Sequence, residues 1–261
     1  MVIAEKIKGF IAGNYRGFIT FLSLFILWSG VTHYQLLSPE SLPAPQVVTA
    51  TFKEVFSSGL LGKSLGMSLS RIARGFLIGC SLGFLVGAAM GVSRSAERLL
   101  APLINAVRQV PIIGWIPLII VWCGIADMSK ITFIAIGAFF PMVVNTFDGI
   151  RSVPHGYLEV ARVFEYGRLR LLRSIVVPGA LPAIVSGIRL SLGASWMLVV
   201  WSEINTRSDF GIGDMLWSAR ESSKMDLVIV CIVVIGAVAF SINELLGQIE
   251  SRLQGWKRSC R

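Results

Sequence analysis

The stretch SSGLLGKS, Ser57 to Ser64, is one residue away from a phosphate-binding loop, in which backbone amides and a lysine cradle a nucleotide. That loop needs Gly, four residues and then Gly-Lys-Ser/Thr, placed between a buried strand and a helix. Here Ser57 stands where the first glycine belongs, and no strand-like run leads into it. We read it as a decoy. The two histidines, His33 and His155, form no HExxH-type metal pair, and His155 follows Pro154 in a charged segment where a solvated side chain is the ordinary expectation. Cys80, Cys123 and Cys231 fall in separate apolar runs and Cys260 stands next to the end, without zinc or redox spacing. No Ser–His–acid set converges along the chain. The expectation is a protein that is not an enzyme by itself, with free thiols, no metal and no cofactor of its own.

Charges inside apolar runs carry more information. Arg108 and Arg189 both lie in such runs, where a lone charge costs at least ~2.5 kcal/mol on insertion scales and calls for an aqueous cavity or a partner. Two readings are open. Arg189, with Ser186, Ser191 and Ser195, faces a central cavity and touches a substrate. Alternatively, Arg189 pairs with Asp148 or a carbonyl, while Arg108 snorkels to the interface.

The densest charge lies in YLEVARVFEYGRLRLLRSIVVP, Tyr157 to Pro178. Tyr157, Val160, Ala161 and Phe164 recur at helical spacing, with Glu159 and Arg162 beside them. After Gly167, Leu169, Leu172, Ile175 and Val176 make a second apolar face, away from Arg168, Arg170 and Arg173. This predicts two short amphipathic helices joined by a turn. A loop that merely fixes orientation would explain the arginines. It would not explain an aromatic–aliphatic knob bordered by charges of both signs, which suits a helix docking into a partner's groove.

What positions these residues is a membrane scaffold. The chain is 54% hydrophobic and only 15% charged over 261 residues, with a mean hydropathy of +0.72, well below the charge content of a soluble domain. Six apolar runs approach the roughly 20 residues that a helical crossing needs. They are about Phe18–Leu37, Phe76–Val92, Leu103–Ile125, Ile131–Phe147, Ala183–Ile204 and Leu227–Leu246. Period-2 alternation is absent, so a helical bundle is expected rather than a barrel. The organisation reads as an N-terminal segment 1–17, one membrane domain 18–250 with a charged loop 151–177, and a tail 251–261, with no cleavable leader.

With the N-terminus in the cytoplasm, cytoplasmic segments hold 14 of the 24 lysines and arginines and outer segments eight, against which Lys53, Lys63, Arg71 and Arg74 weigh. The net charge of +9 is thus spread among crossings, which argues against nucleic-acid binding. Gly75, Gly79, Gly83, Gly87 and Gly91 recur every fourth residue and predict a close helix contact, within the chain or between copies. Pro111, Gly114 and Pro117 interrupt the third crossing, as in helices that line a pathway or simply kink.

The charged segment resembles the cytoplasmic coupling loop of permease subunits of ATP-binding-cassette importers, whose motif runs Glu-Ala-Ala, Gly, Ile and Leu-Pro at fixed distances. Glu159, Val160 and Ala161 match its start, Ile175 its isoleucine, and Val177-Pro178 its end. Glu165 stands where the family has its glycine, so Gly167 is expected to take over the turn, two residues later. LPAPQVV, SLSRIARGFLIG, IPLIIVWCGIADMSKI, FFPMVVNTFDGIRSVP and GIRLSLGASWMLVVWSEI resemble, in order, segments of the permeases for nitrate, taurine, aliphatic sulfonates and bicarbonate.

The resemblance implies an all-α membrane protein, a six-helix permease of the type I importer (MetI-like) fold. It also implies a homodimer, two soluble ATPase subunits holding ATP and Mg, and a periplasmic or lipid-anchored binding protein, in a bacterial inner membrane. Tyr157, Leu158, Glu159, Val160, Ala161, Arg162, Val163, Phe164, Gly167 and Arg168 would couple to the ATPase. Arg108, Ser186, Arg189, Ser191 and Ser195 would line the pathway of a small oxyanion such as a sulfonate, taurine, nitrate or bicarbonate. A neutral heterocycle such as a thiamine precursor is the alternative cargo. A stand-alone secondary transporter would show paired broken helices in inverted repeats, which the chain does not display.

Overall fold

The computed structural model describes residues 17, 19, 20, 22–206 and 210–258, and every regular element among them is helical. The expected N-terminal segment lies outside the described residues except for residue 17, as do Phe18 and the last three residues of the expected tail. The chain forms two compact units, one taking the residues up to Leu60 with Leu216–Val233, the other Leu61–Met215 with Val234–Arg261.

In the first unit, α1 (Leu22–His33) is the described apolar helix of the first expected crossing. It ends on Gln35, φ +50°, with the Leu36 amide bonded back to Val31 O at 3.1 Å, a left-handed cap of the Schellman kind. Pro45 then opens α2 (Pro45–Ser57), where its missing N–H costs nothing. Trp28 Nε1 donates to Pro43 O at 3.1 Å, and Thr51 Oγ1 to Asp226 Oδ2 at 2.5 Å. Ser57 closes α2, Gly59 turns the chain at φ +74°, and Leu60 starts the next helix, so the SSGLLGKS stretch is a helix–turn–helix junction.

The second unit is built on three long helices. α3 (Leu60–Val92) starts well before the expected Phe76, because GKSLGMSLSRIAR is helical too. α6 (Asp127–Arg151) and α9 (Val177–Asn205) pack antiparallel, with Gly149 against Ala183 and Ala180, Gly187 against Asn145, and Ser191 Oγ bonded to Ala138 O at 2.7 Å. α3 runs parallel to α6, and the glycine stripe is the reason it can. A β-carbon on Gly83 would stand 2.6 Å from Phe139 O, and one on Gly87 2.5 Å from Val143 O; Gly79 meets the Ala135 backbone more closely still. Small residues let backbones approach where no hydrophobic driving force exists. The stripe thus serves contact within the chain.

The third expected crossing, Leu103–Ile125, is not one straight helix. α4 (Arg94–Gln109) and α5 (Ile116–Cys123), joined through a 3₁₀ turn at Ile112–Trp115, meet at 92°. Val110 is extended ahead of Pro111, as sterics before proline require, and this ends α4. α4 buries none of its residues, whereas Ile119 of α5 packs with Phe133 and Leu198. Among the described residues, four helices are long and apolar enough to span a bilayer, with the bent pair as a fifth and α1 as a shorter apolar helix at the first expected crossing.

Candidate functional site

Between α6 and α9 the chain projects α7 (His155–Val163). Tyr157, Val160, Val163 and Phe164 are exposed, Val163 at 81%, while Ala161 is buried at 2%. The apolar outward face expected from spacing therefore loses Ala161, which turns inward to seat the helix, and gains Val163. Glu159 is exposed beside it, Leu158 half-buried. The turn that follows corrects a second expectation. Glu165 itself takes the left-handed conformation, φ +52°, and the Tyr166 amide bonds back to Ala161 O at 2.9 Å. Gly167 is extended at φ −62° and caps the next helix. The bend thus stays at the motif's glycine position, with glutamate paying the steric cost.

The second short helix, α8 (Arg168–Leu171), is not separate. It passes through a π turn at Leu172–Val176 into α9, so that Arg168–Asn205 is one long helix. Pro178 and Pro182 do not break it. Pro178 has no amide to offer, and the π turn just ahead of it absorbs the missing bond. α7 is therefore followed, across a tight turn, by one continuous helix.

At the other end of these helices, about 37 Å away along the 25 residues of α6, lies a charge network. Its members are Arg71 on α3, Asp127 and Lys130 in the first turn of α6, Glu203 in the last turn of α9, and Asp214 in α10 (Ile212–Glu221). Arg71 is 2% exposed; Lys130 and Glu203 are fully buried. Arg71 Nη1 donates to Glu203 Oε1 at 2.7 Å and to Phe210 O at 2.7 Å, and its Nε donates to Asp127 Oδ1 at 2.9 Å. Ser68 Oγ lies 2.8 and 3.0 Å from the two Glu203 oxygens, and the Gly213 amide donates to Oε2 at 2.9 Å. Lys130 Nζ is 3.8 Å from Asp214 Oδ2, and Arg74 Nη2 3.6 Å from Asp127 Oδ2. Three cations, Arg71, Arg74 and Lys130, thus face three carboxylates, and the formal sum is zero.

Glycines make room for it: a β-carbon on Gly211 would sit 2.5 Å from the Glu203 carboxyl carbon, and one on Gly213 2.5 Å from Val200 O. Charges this deep persist when paired and hydrogen-bonded, as Arg71 and Glu203 are, whereas Lys130 Nζ has its ion pair with Asp214 and no hydrogen bond among the described residues. The network ties the first half of α3 to the start of α6, the end of α9 and the start of α10. Lys63, the lysine of the decoy loop, stands 3.5 Å over the Phe210 ring beside it. Sequence reasoning missed this site. The signal was present in Glu203, a carboxylate inside the apolar run Ala183–Ile204, which needs a partner as surely as Arg189 does.

The expected pathway residues separate. Arg189 turns to α11 (Met225–Arg258), where Nη1 pairs with Glu250 Oε2 at 2.8 Å and Nη2 donates to Asn243 Oδ1 at 2.9 Å; Ser186 Oγ reaches the other Glu250 oxygen at 3.0 Å. Its partner is Glu250 rather than Asp148. Ser191 and Ser195 are fully buried, with Ser191 bonded to α6 and Ser195 to its own helix. Arg108 is exposed in the last turn of α4.

Apolar spans around a glycine-packed core, with an exposed amphipathic helix set between two of them, define an α-helical integral membrane protein. Residues 79–255 match the model of the binding-protein-dependent transport system inner membrane component, and the chain belongs to that family. SsuC of Bacillus subtilis (strain 168), named for aliphatic sulfonates transport, is 36% identical over 247 residues, covering 95% of this chain and 89% of that one. The taurine transport system permease protein TauC of Escherichia coli (strain K12) is 34% identical over 242 residues, with 91% and 88% covered. A chain of the MetNI methionine ABC transporter, in an inward-facing form, superposes with a TM-score of 0.65 at 17% identity, over 74% of this chain and 96% of its own. The fold is thus that of a MetI-like importer permease.

Proposed function

We propose that this chain forms the translocation pathway of an ATP-driven importer for a small oxyanion, a sulfonate before others. It works as a homodimer in a bacterial inner membrane, with both termini and α7 in the cytoplasm. Two separate ATPase subunits dock on α7 and hold the ATP and Mg, and this chain needs no cofactor. A binding protein delivers the solute to the opposite end, where the charge network lies. The observation that carries the docking is the exposed apolar set Tyr157, Val160, Val163 and Phe164 on a short helix held at both ends by long ones. A groove-seated helix uses such anchors, with rim charges such as Glu159 selecting the partner. The attachment to one unbroken helix, Arg168–Asn205, supplies a rigid lever.

The cargo reading draws on the relatives named for sulfonates and taurine. It does not draw on Arg189, whose charge is already met by Glu250 and Asn243. Co-reconstituting the chain with the ATPase and the binding protein of its importer, and measuring uptake of labelled taurine and an alkanesulfonate, tests this reading. Uptake that requires ATP and the ATPase supports it. Uptake driven by an ion gradient without the ATPase would establish a secondary transporter, and ATP-driven uptake of a neutral heterocycle alone would replace the cargo.

A further inference from the structure

On the side of α4 that faces the end of α6 lies an open cavity of about 560 Å³. Arg94, Arg98, Pro102 and Asn105 line it from α4, and Arg151, the last residue of α6, from across. On a helix these spacings fall on one face. Glu97 supplies the only carboxylate of the lining and is paired with Arg151. Three arginines against one glutamate leave the cavity with a formal charge of +2. Arg94 and Arg98 make no hydrogen bond or ion pair among the described residues. The opposite face of α4 is apolar and exposed, Leu99 at 76% and Leu103 at 59%, and the helix buries nothing. A helix of this kind lies in a membrane interface with its apolar face in the acyl region.

We propose that this cavity binds the phosphate of an anionic phospholipid headgroup. Two unpaired guanidinium groups are suited to a phosphodiester, which each can grip through parallel N–H donors. Basic pockets between helices on the cytoplasmic side take anionic headgroups for the same reason. The position gives the binding a consequence. Arg151 precedes α7 by only the Ser152–Pro154 link, so a headgroup bridging α4 and Arg151 braces the root of the coupling helix. The placement at the cytoplasmic leaflet rests on the topology proposed above; the chemistry of the cavity does not.

The test uses the purified full chain and native mass spectrometry, with dioleoyl-phosphatidylglycerol, dioleoyl-phosphatidylethanolamine and inorganic phosphate as probes. The wild type is expected to retain phosphatidylglycerol roughly tenfold better than the zwitterionic lipid, the scale of one hydrogen-bonded charge pair. R94Q/R98Q removes two exposed, unpaired cations, so it should leave the melting temperature unchanged and erase the preference. E97Q frees Arg151 and should strengthen the preference. Equal retention of both lipids, or a preference that survives R94Q/R98Q, overturns the proposal. Displacement of phosphatidylglycerol by millimolar phosphate shows that the anion comes from solution, and overturns the lipid as its source. Labelling of a cysteine at position 98 by an impermeant maleimide outside intact cells sinks the topology alone, leaving the binding result to stand or fall by itself.

Discussion

Replacing Glu203 with alanine removes in one step the acceptor of Arg71 Nη1, Ser68 Oγ and the Gly213 amide. Arg71, at 2% exposure, keeps Asp127 and Phe210 O but loses its closest carboxylate. Breaking one member of a buried pair costs about 3–5 kcal/mol, most of it from the charge left behind. For a chain of this size that lowers Tm by about 6–20 °C. Glu203→Gln separates charge from shape, because it keeps one acceptor oxygen but aims an amide at a site lined with donors, and it should cost about 1–3 kcal/mol. A double-mutant cycle with Arg71→Met isolates the pair and should give a coupling above about 1 kcal/mol. The assay is tryptophan-fluorescence melting of the purified chain in detergent. A Glu203→Ala melting point within 2 °C or so of wild type, or strict additivity with Arg71→Met, would refute the claim that this network ties these helices together.

Three further outcomes follow from local geometry. Glu165→Gly relieves a left-handed glutamate and should raise stability by about 1 kcal/mol, whereas Gly167→Ala, extended and with open space at its β-carbon, should be neutral in the same melt; the reverse pattern would move the bend to Gly167. Gly79→Ala drives a methyl group into the Ala135 backbone and should cost about 1–3 kcal/mol, while Gly62→Ala and Gly66→Ala, which meet nothing within 4 Å, should not. Arg189→Gln should cost at most about 1 kcal/mol, since the arginine is 38% exposed, and should leave uptake intact if its role is to tie α9 to α11; a raised KM for an anionic cargo would restore it to the pathway.

The helical class and the charged loop were legible in the sequence because both are local signals, apolar run length and 3.6-residue spacing. The glycine stripe likewise announced a close contact, though only the packed helices show that the contact is α6. The first turns of α3 were hidden by Lys63, Arg71 and Arg74, which read as a polar connection. Their charges are met far along the chain: Arg71 finds Asp127 at a separation of 56 residues and Glu203 at 132. No local pattern carries that information. The same burial weakens the count of outer basic residues, for Arg71 and Lys130 are interior groups rather than loop charges. Pro111 and Pro117 announced a break, but a 92° bend depends on what α5 packs against. Arg189 needed a partner by energy alone, and which partner was a matter of tertiary packing. The left-handed residue after α7 was misplaced because glycine preference pointed to Gly167, while the register of the cap bond from Tyr166 to Ala161 selects Glu165.

The docking of α7 can be measured directly by placing single cysteines at Val163 and Ala161 and crosslinking in intact cells that express the whole importer. Val163→Cys, on the exposed face, is expected to capture the ATPase subunit, while the buried Ala161→Cys captures nothing. An ATPase that is never captured from Val163, Val160 or Tyr157, in a transporter that still imports its solute, would contradict the docking.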